Sequence, residues 1–158
     1  MNATICSRMT CLWGALALAA FASAPAAAGG KKYFMTPDTF TGAAALDACG
    51  KGYHMSSLWE IFEISQLKYD TKRGHAREDS GSGPPGALLA WIRTGGASSA
   101  INTPGIANCS AWTSDVKADR GTIVELNGVW AAPAAASSPW NAVTAACDTP
   151  LRVWCKQN

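Results

Sequence analysis

The chain has 158 residues and 13 Lys and Arg against 11 Asp and Glu, a net charge of +2. That balance offers no large electrostatic field and argues against nucleic acid or anionic lipid as partners. With an N-terminal leader set aside, about 130 residues remain, enough for one domain with its own core and too few for two.

The leader is read from the first residues. Asn2 to Arg8 is a short n-region with one positive charge, and Met9 to Phe21 is an apolar run too short to span a bilayer comfortably. Small residues follow, and a signal-peptidase cut is expected after Ala26-Ala27-Ala28, before Gly29, with Ala22-Ser23-Ala24 as the alternative site. Residues 1–28 therefore read as a signal peptide and 29–158 as the domain; an uncleaved anchor is the competing reading. Nothing later in the chain is apolar enough over a sufficient length to span a membrane. Cys6 and Cys11 leave with the leader, so Cys49, Cys109, Cys147 and Cys155 remain, an even set that in an exported chain reads as two disulfides. Their wide scatter and the lack of any C-x-x-C pair argue against zinc, and spacing alone leaves all three pairings open.

Tyr33 to Thr36 reads as a first strand ended by Pro37. Ala43 to Cys49 reads as a short helix capped by Thr41 and stopped by Gly50, with Leu46 and Cys49 on one core-facing side. A second helix starts at Ser57, where Ser57 and Glu60 form an S-x-x-E capping box before Leu58, Ile61, Phe62 and Ile64. Gln66 to Gly86 is nearly devoid of apolar signal and reads as a solvated connection. Leu88 to Ile92 reads as a buried strand and Gly95 to Asn108 as a long irregular loop. Further strands are expected at Trp112-Thr113, Gly121 to Leu126, Val129-Trp130 and Leu151 to Cys155, with Asn127-Gly128 as a hairpin turn between two of them. Ala131 to Pro139 is a low-complexity loop. The expectation is an α+β domain with two short helices, small antiparallel sheets and long loops.

The order of these pieces resembles the C-type-lectin-like domain family. The resemblance rests on the helix carrying Cys49, the capped second helix, Trp91-Ile92, the long loop, Asn108-Cys109, Trp140-Asn141 ahead of Cys147, and a last strand ending Val153-Trp154-Cys155. More narrowly, Phe34-Met35-Thr36, Ala45 to Cys49, Asn108 to Ser114 and Val153-Trp154-Cys155 are similar to an exported bacterial branch of that fold with no established activity. The resemblance implies that Cys49 pairs with Cys155 and Cys109 with Cys147. Lectin members hold calcium through an acid or amide beside a loop proline and through a later Trp-Asn-Asp. This chain has Thr103-Pro104-Gly105 and Trp140-Asn141-Ala142 instead, so no calcium site and no other metal or cofactor is expected.

Of the six tryptophans after residue 28, Trp59 and Trp91 are assigned to the core. Strand alternation sets Trp154 beside Arg152 and Lys156, away from Leu151, Val153 and Cys155, so partial exposure or cover by a loop is expected. Trp140 in a loop is the favoured ligand contact, because an indole offers a flat face with a polar edge. Asn141, Asn102 and Trp130 complete the candidate set, all on the loops 95–108 and 131–146 or beside them. His54 reads as a capping or packing residue and His75 as solvated; Asp115, Asp119 and Glu125 form a loose acidic group. No catalytic signature is recognised. The leading expectation is thus a periplasmic or secreted binding module for a protein or glycan. The alternatives are a structural envelope protein without a discrete ligand and a hydrolase whose site escapes sequence reading.

Overall fold

Strands that bury consecutive residues, instead of alternate ones, lie inside a sheet with both faces covered. The computed structural model of the chain describes residues 30–77, 81, 83–127 and 140–158, so the expected leader, Gly128 and the expected strand at Val129-Trp130 lie outside the described residues. Seven strands form one sheet: β1 (Lys31–Met35), β2 (Tyr53–Met55), β3 (Leu67–Tyr69), β4 (Ala90–Trp91), β5 (Arg120–Leu126), β6 (Trp140–Ala146) and β7 (Arg152–Gln157). Their order is β3-β1-β7-β4-β5-β6, with β2 also on β7. The helices are few and short, so the domain is α+β with β structure predominant.

The sheet is mixed, not antiparallel as expected: β1 pairs with β3 and β4 with β7 in parallel. In each parallel pair other elements intervene along the chain and return it to the starting end, as parallel neighbours require. β7 is the hub. One edge takes β1 antiparallel, and the other takes β2 and β4 end to end. Val153, Trp154 and Cys155 are consequently all buried. Trp154 has 0% exposure, which corrects the expectation of partial exposure: with packed layers on both faces of β7, alternation decides which layer a residue enters and not whether it is buried.

Two core layers follow from the register. Trp154 lies on the face of Met35 and Ala90, where its ring stacks on Tyr33 at 6.1 Å and meets Trp140 edge-on at 5.2 Å. On the other face, Phe34 sits opposite Cys155 and Trp91 opposite Val153, and Trp91 meets Trp112 edge-on at 5.7 Å. The buried Thr36 hydroxyl accepts from the Val153 N–H at 2.9 Å and donates to the Asp38 carbonyl at 2.7 Å, so its burial leaves no polar group unpaired.

The first helix is a 3-10 helix over Gly42–Asp47, and the Thr41 side chain makes no capping bond. Three residues per turn bring Gly42 and Ala45 inward, while Leu46, expected in the core, is exposed. α1 (Leu58–Ile61) is a single turn. The Glu60 carboxylate reaches back to the Ser57 N–H at 2.8 Å and its hydroxyl at 2.9 Å, the return arm of the expected capping box. Ile61 is buried, but Trp59 is 78% exposed, which corrects its assignment to the core, and Phe62 is exposed too: one turn of helix has only one inward face, and Ile61 takes it.

Tyr69 and Asp70 are buried, so the expected solvated connection contains an edge strand. β6 lies in the expected loop 131–146 but is a strand: all seven of its residues pair with β5, from Arg120↔Ala146 to Leu126↔Trp140. The antiparallel partner of β5 on that side is therefore β6.

Disulfides join Cys49 to Cys155 and Cys109 to Cys147. Such bonds persist in an oxidising compartment. Trp112-Thr113, expected as strand, belongs to a turn wound left-handed: φ is +48° at Cys109, +52° at Ser110, +57° at Ala111 and +65° at Trp112. Asn108 holds it, accepting the Ala111 N–H on its side chain at 3.1 Å and the Trp112 N–H on its carbonyl at 2.8 Å. For an L-residue this conformation costs about 1–2 kcal/mol. Ala111 is exposed, so its methyl adds little buried area that glycine would forfeit. Ala111→Gly is expected to raise stability by about 0.5–1 kcal/mol, the Cβ relief exceeding the added chain entropy of the unfolded state. Urea denaturation checks it, and a loss of stability would refute the left-handed assignment.

Candidate ligand-binding surface

The stretch Gly95 to Asn108 has the small and turn-forming residues of a loop, yet it is tied down along its length. The Thr103 carbonyl accepts from the N–H groups of Ile106 at 3.2 Å and Ala107 at 3.1 Å, closing a turn at Pro104-Gly105. Gly105 has φ +87°, which favours glycine there. Gly96 is pressed so close to the opposite limb that a Cβ would lie 2.5 Å from Ile106 Cα. The Asn108 side-chain amide donates to the Gly96 carbonyl, and the Ser98 carbonyl accepts from the Asn108 N–H at 3.1 Å.

The loop is also bolted to the sheet. Thr122, fully buried on β5, accepts the Gly105 N–H at 2.9 Å and donates to the Ala107 carbonyl at 2.7 Å. The Arg120 N–H donates to Ser99 at 2.8 Å, and the next residue after Asn108 is the disulfide-bonded Cys109. At the tip the Thr144 hydroxyl of β6 donates to the Asn102 side-chain oxygen. Near its tip the loop leaves Ile101, Asn102, Thr103, Pro104 and Ile106 in solvent. Two exposed branched aliphatics beside an amide and a hydroxyl make an amphipathic surface whose shape these hydrogen bonds hold.

The expected site residues are only partly gathered here. Asn102 is at the tip, in contact with β6. Asn141 is exposed on β6 and donates to Glu125 Oε1 at 3.0 Å, but strand alternation puts it on the face opposite Thr144, so the two asparagines do not share a surface. Trp140 is 5% exposed, and its indole N–H donates to the Ile61 carbonyl at 3.0 Å. Its ring sits against Trp154 in the core and is not offered as a platform from a loop. Trp130 lies outside the described residues. The exposed indole that sequence reading assigned to the core is Trp59; its position one residue off the Leu58–Ile61 stripe was the available signal.

A second polar cluster gathers where α1 meets the end of β7. Glu60 Oε1 lies 2.9 Å from His54 Nε2 and 3.6 Å from Lys156 Nζ, and Oε2 lies 3.8 Å from an Arg93 guanidinium nitrogen. Burial pushes the Glu60 carboxyl up, but the bonds from Ser57 and His54 outweigh it and bring it down to about 2. His54 Nδ1 is 2.6 Å from Asn158 Oδ1, so both ring nitrogens are engaged, and the Ser57 hydroxyl points to Glu60. The cluster locks α1 to β2 and β7. His75 donates its backbone N–H to Met35 at 2.7 Å and is half-buried; burial, with Arg152 and Arg77 nearby, lowers its imidazole pKa.

Among the described residues no group of three or more His, Cys, Asp or Glu is placed to hold a metal ion. Asp119 and Glu125 go to separate partners, Ser110 and Asn141. Among the described residues no helix is long and apolar enough to cross a membrane. Comparison of the chain with family models, curated proteins and solved structures returns no match.

Proposed function

We propose that the chain is an exported binding module of the C-type-lectin-like kind, at work in the periplasm or outside the cell, which recognises a protein or glycan through the tip of the loop Gly95 to Asn108. The observation that carries this reading is the preformed loop: anchored by Asn108, Thr122 and the Cys109–Cys147 bond, it exposes Ile101, Asn102 and Ile106 together. A ligand meeting it does not have to order it, and so retains more of its contact energy as affinity. The order of secondary elements and the two nested disulfides support the family reading. Recognition proceeds without calcium, because the loop contains no Asp or Glu and hard divalent cations favour carboxylate oxygens.

The test is a glycan array and a pull-down with the disulfide-bonded protein, followed by Ile101→Ala and Asn102→Ala on any ligand found. Each variant is expected to weaken binding by about tenfold with the fold intact, the effect of losing roughly 1.4 kcal/mol at a contact centre. Silence in both screens with the disulfides closed, or variants that bind like the parent, would overturn the proposal. A tight stoichiometric heat of calcium binding would overturn its calcium-free form.

A further inference from the structure

At the edge of the sheet far from that loop, β1 and β3 frame a cleft of about 210 Å³ lined by Lys32, Lys68, Tyr69, Asp70, Thr71 and Lys72. Lys32 and Lys68 stand directly opposite each other in the parallel ladder, and like charges so placed repel. The turn after β3 adds Lys72. Against these three ammonium groups the lining holds one carboxylate, Asp70, 3.6 Å from Lys32 Nζ. Burial pushes the Asp70 carboxyl up, but the Tyr53 hydroxyl at 3.0 Å, Lys32 and the backbone N–H groups of Lys72 and Arg73 hold it below its ordinary value, so it stays ionised and already partnered.

The cleft thus carries an excess of two positive charges on a chain that is almost neutral. Edge lysines discourage strand-to-strand aggregation, which accounts for Lys68 on the edge strand. It does not account for Lys32, on the inner strand β1, or for Lys72 in a turn.

We infer that this cleft is a second binding site, for the sulfate or carboxylate group of an acidic polysaccharide. Its volume falls below the roughly 300 Å³ of small enclosed ligand pockets, so it seats one charged group of a larger chain rather than a whole ligand. An anion between Lys32, Lys68 and Lys72 relieves their mutual repulsion and gains charge-assisted hydrogen bonds. Thr71, exposed in the same lining, has a hydroxyl that suits a neighbouring sugar hydroxyl. Nucleic acid fits less well: the one aromatic ring in the lining, Tyr69, is buried and gives no face for base stacking. The site lies at the opposite edge of the sheet from the loop and stands or falls independently of it.

The experiment titrates the disulfide-bonded protein with dextran sulfate and with unsulfated dextran, and compares two charge-matched double variants. Lys68→Gln with Lys72→Gln empties the cleft of two charges; Lys51→Gln with Lys117→Gln removes the same charge at exposed lysines that line no part of it. The expected result is saturable binding of the sulfated polymer alone, weakened about tenfold by the cleft variant and less than about twofold by the control. Equal loss in both variants, or no saturable binding, overturns the inference. Binding to phosphatidylglycerol vesicles with the same lysine dependence, while dextran sulfate goes unbound, overturns it as well.

Discussion

Replacing Cys49 and Cys155 together by alanine is expected to lower the unfolding free energy by about 4–5 kcal/mol, the loop-closure entropy of so large a ring. The bond spans 106 residues of sequence and ties the segment after the 3-10 helix to the hub strand β7. Small domains are stable by only about 5–15 kcal/mol, so the thermal midpoint falls by roughly 10–20 °C. The Cys109–Cys147 bond, at a separation of 38, closes a smaller ring worth about 4 kcal/mol, and its loss has a different signature. It also frees the left-handed turn and one anchor of the loop Gly95 to Asn108. Hydrogen exchange is therefore expected to speed up locally in residues 95–113 in that variant and not in the first. A drop below about 1 kcal/mol for Cys49/Cys155 would contradict the ring-closure argument.

Trp154→Ala is expected to cost about 3–5 kcal/mol, as for other large buried aromatics. The indole is fully buried, lies between Tyr33 and Trp140, and donates its N–H to the Val124 carbonyl at 3.1 Å. Trp154→Phe separates the two contributions: it keeps a ring in the layer but removes the indole hydrogen bond to a carbonyl that stays within the sheet ladder, a loss of about 0.5–1.5 kcal/mol. Trp59→Ala, at the exposed indole on α1, is expected to stay within about 0.5 kcal/mol of the parent. Denaturant midpoints at constant slope read all three. Equal losses at Trp154 and Trp59 would mean that the core has been misplaced.

Much of this contrast was invisible in one dimension. Trp59 sits in an apolar helix and Trp154 next to two cations, so local pattern ranks their burial in the wrong order. β7 is flanked by strands on both edges and by packed layers on both faces, and that arrangement reverses the ranking. The same holds for β6, whose Trp-Asn-Ala-Val-Thr-Ala-Ala has little β-branched content; it is a strand because β5 offers it seven partners in register. At the candidate loop, the glycines, Pro104 and the asparagines marked an irregular segment correctly. The polar anchor Thr122 lies outside it on a strand, so sequence could not reveal that the loop is preformed.

Sequence alone determined those features that rest on local chemistry. They are the strands of β1, β5 and β7, written as apolar runs, the Ser57–Glu60 cap and the even set Cys49, Cys109, Cys147 and Cys155. Tertiary structure alone decided which strands lie inside the sheet, the left-handed turn at Cys109 to Trp112 and the placing of Lys32 opposite Lys68. The reason is physical: a cap or an apolar run is satisfied by neighbours along the chain, whereas burial on two faces, a backbone held at positive φ and repulsion between lysines 36 positions apart depend on which distant segments the folded sheet brings together.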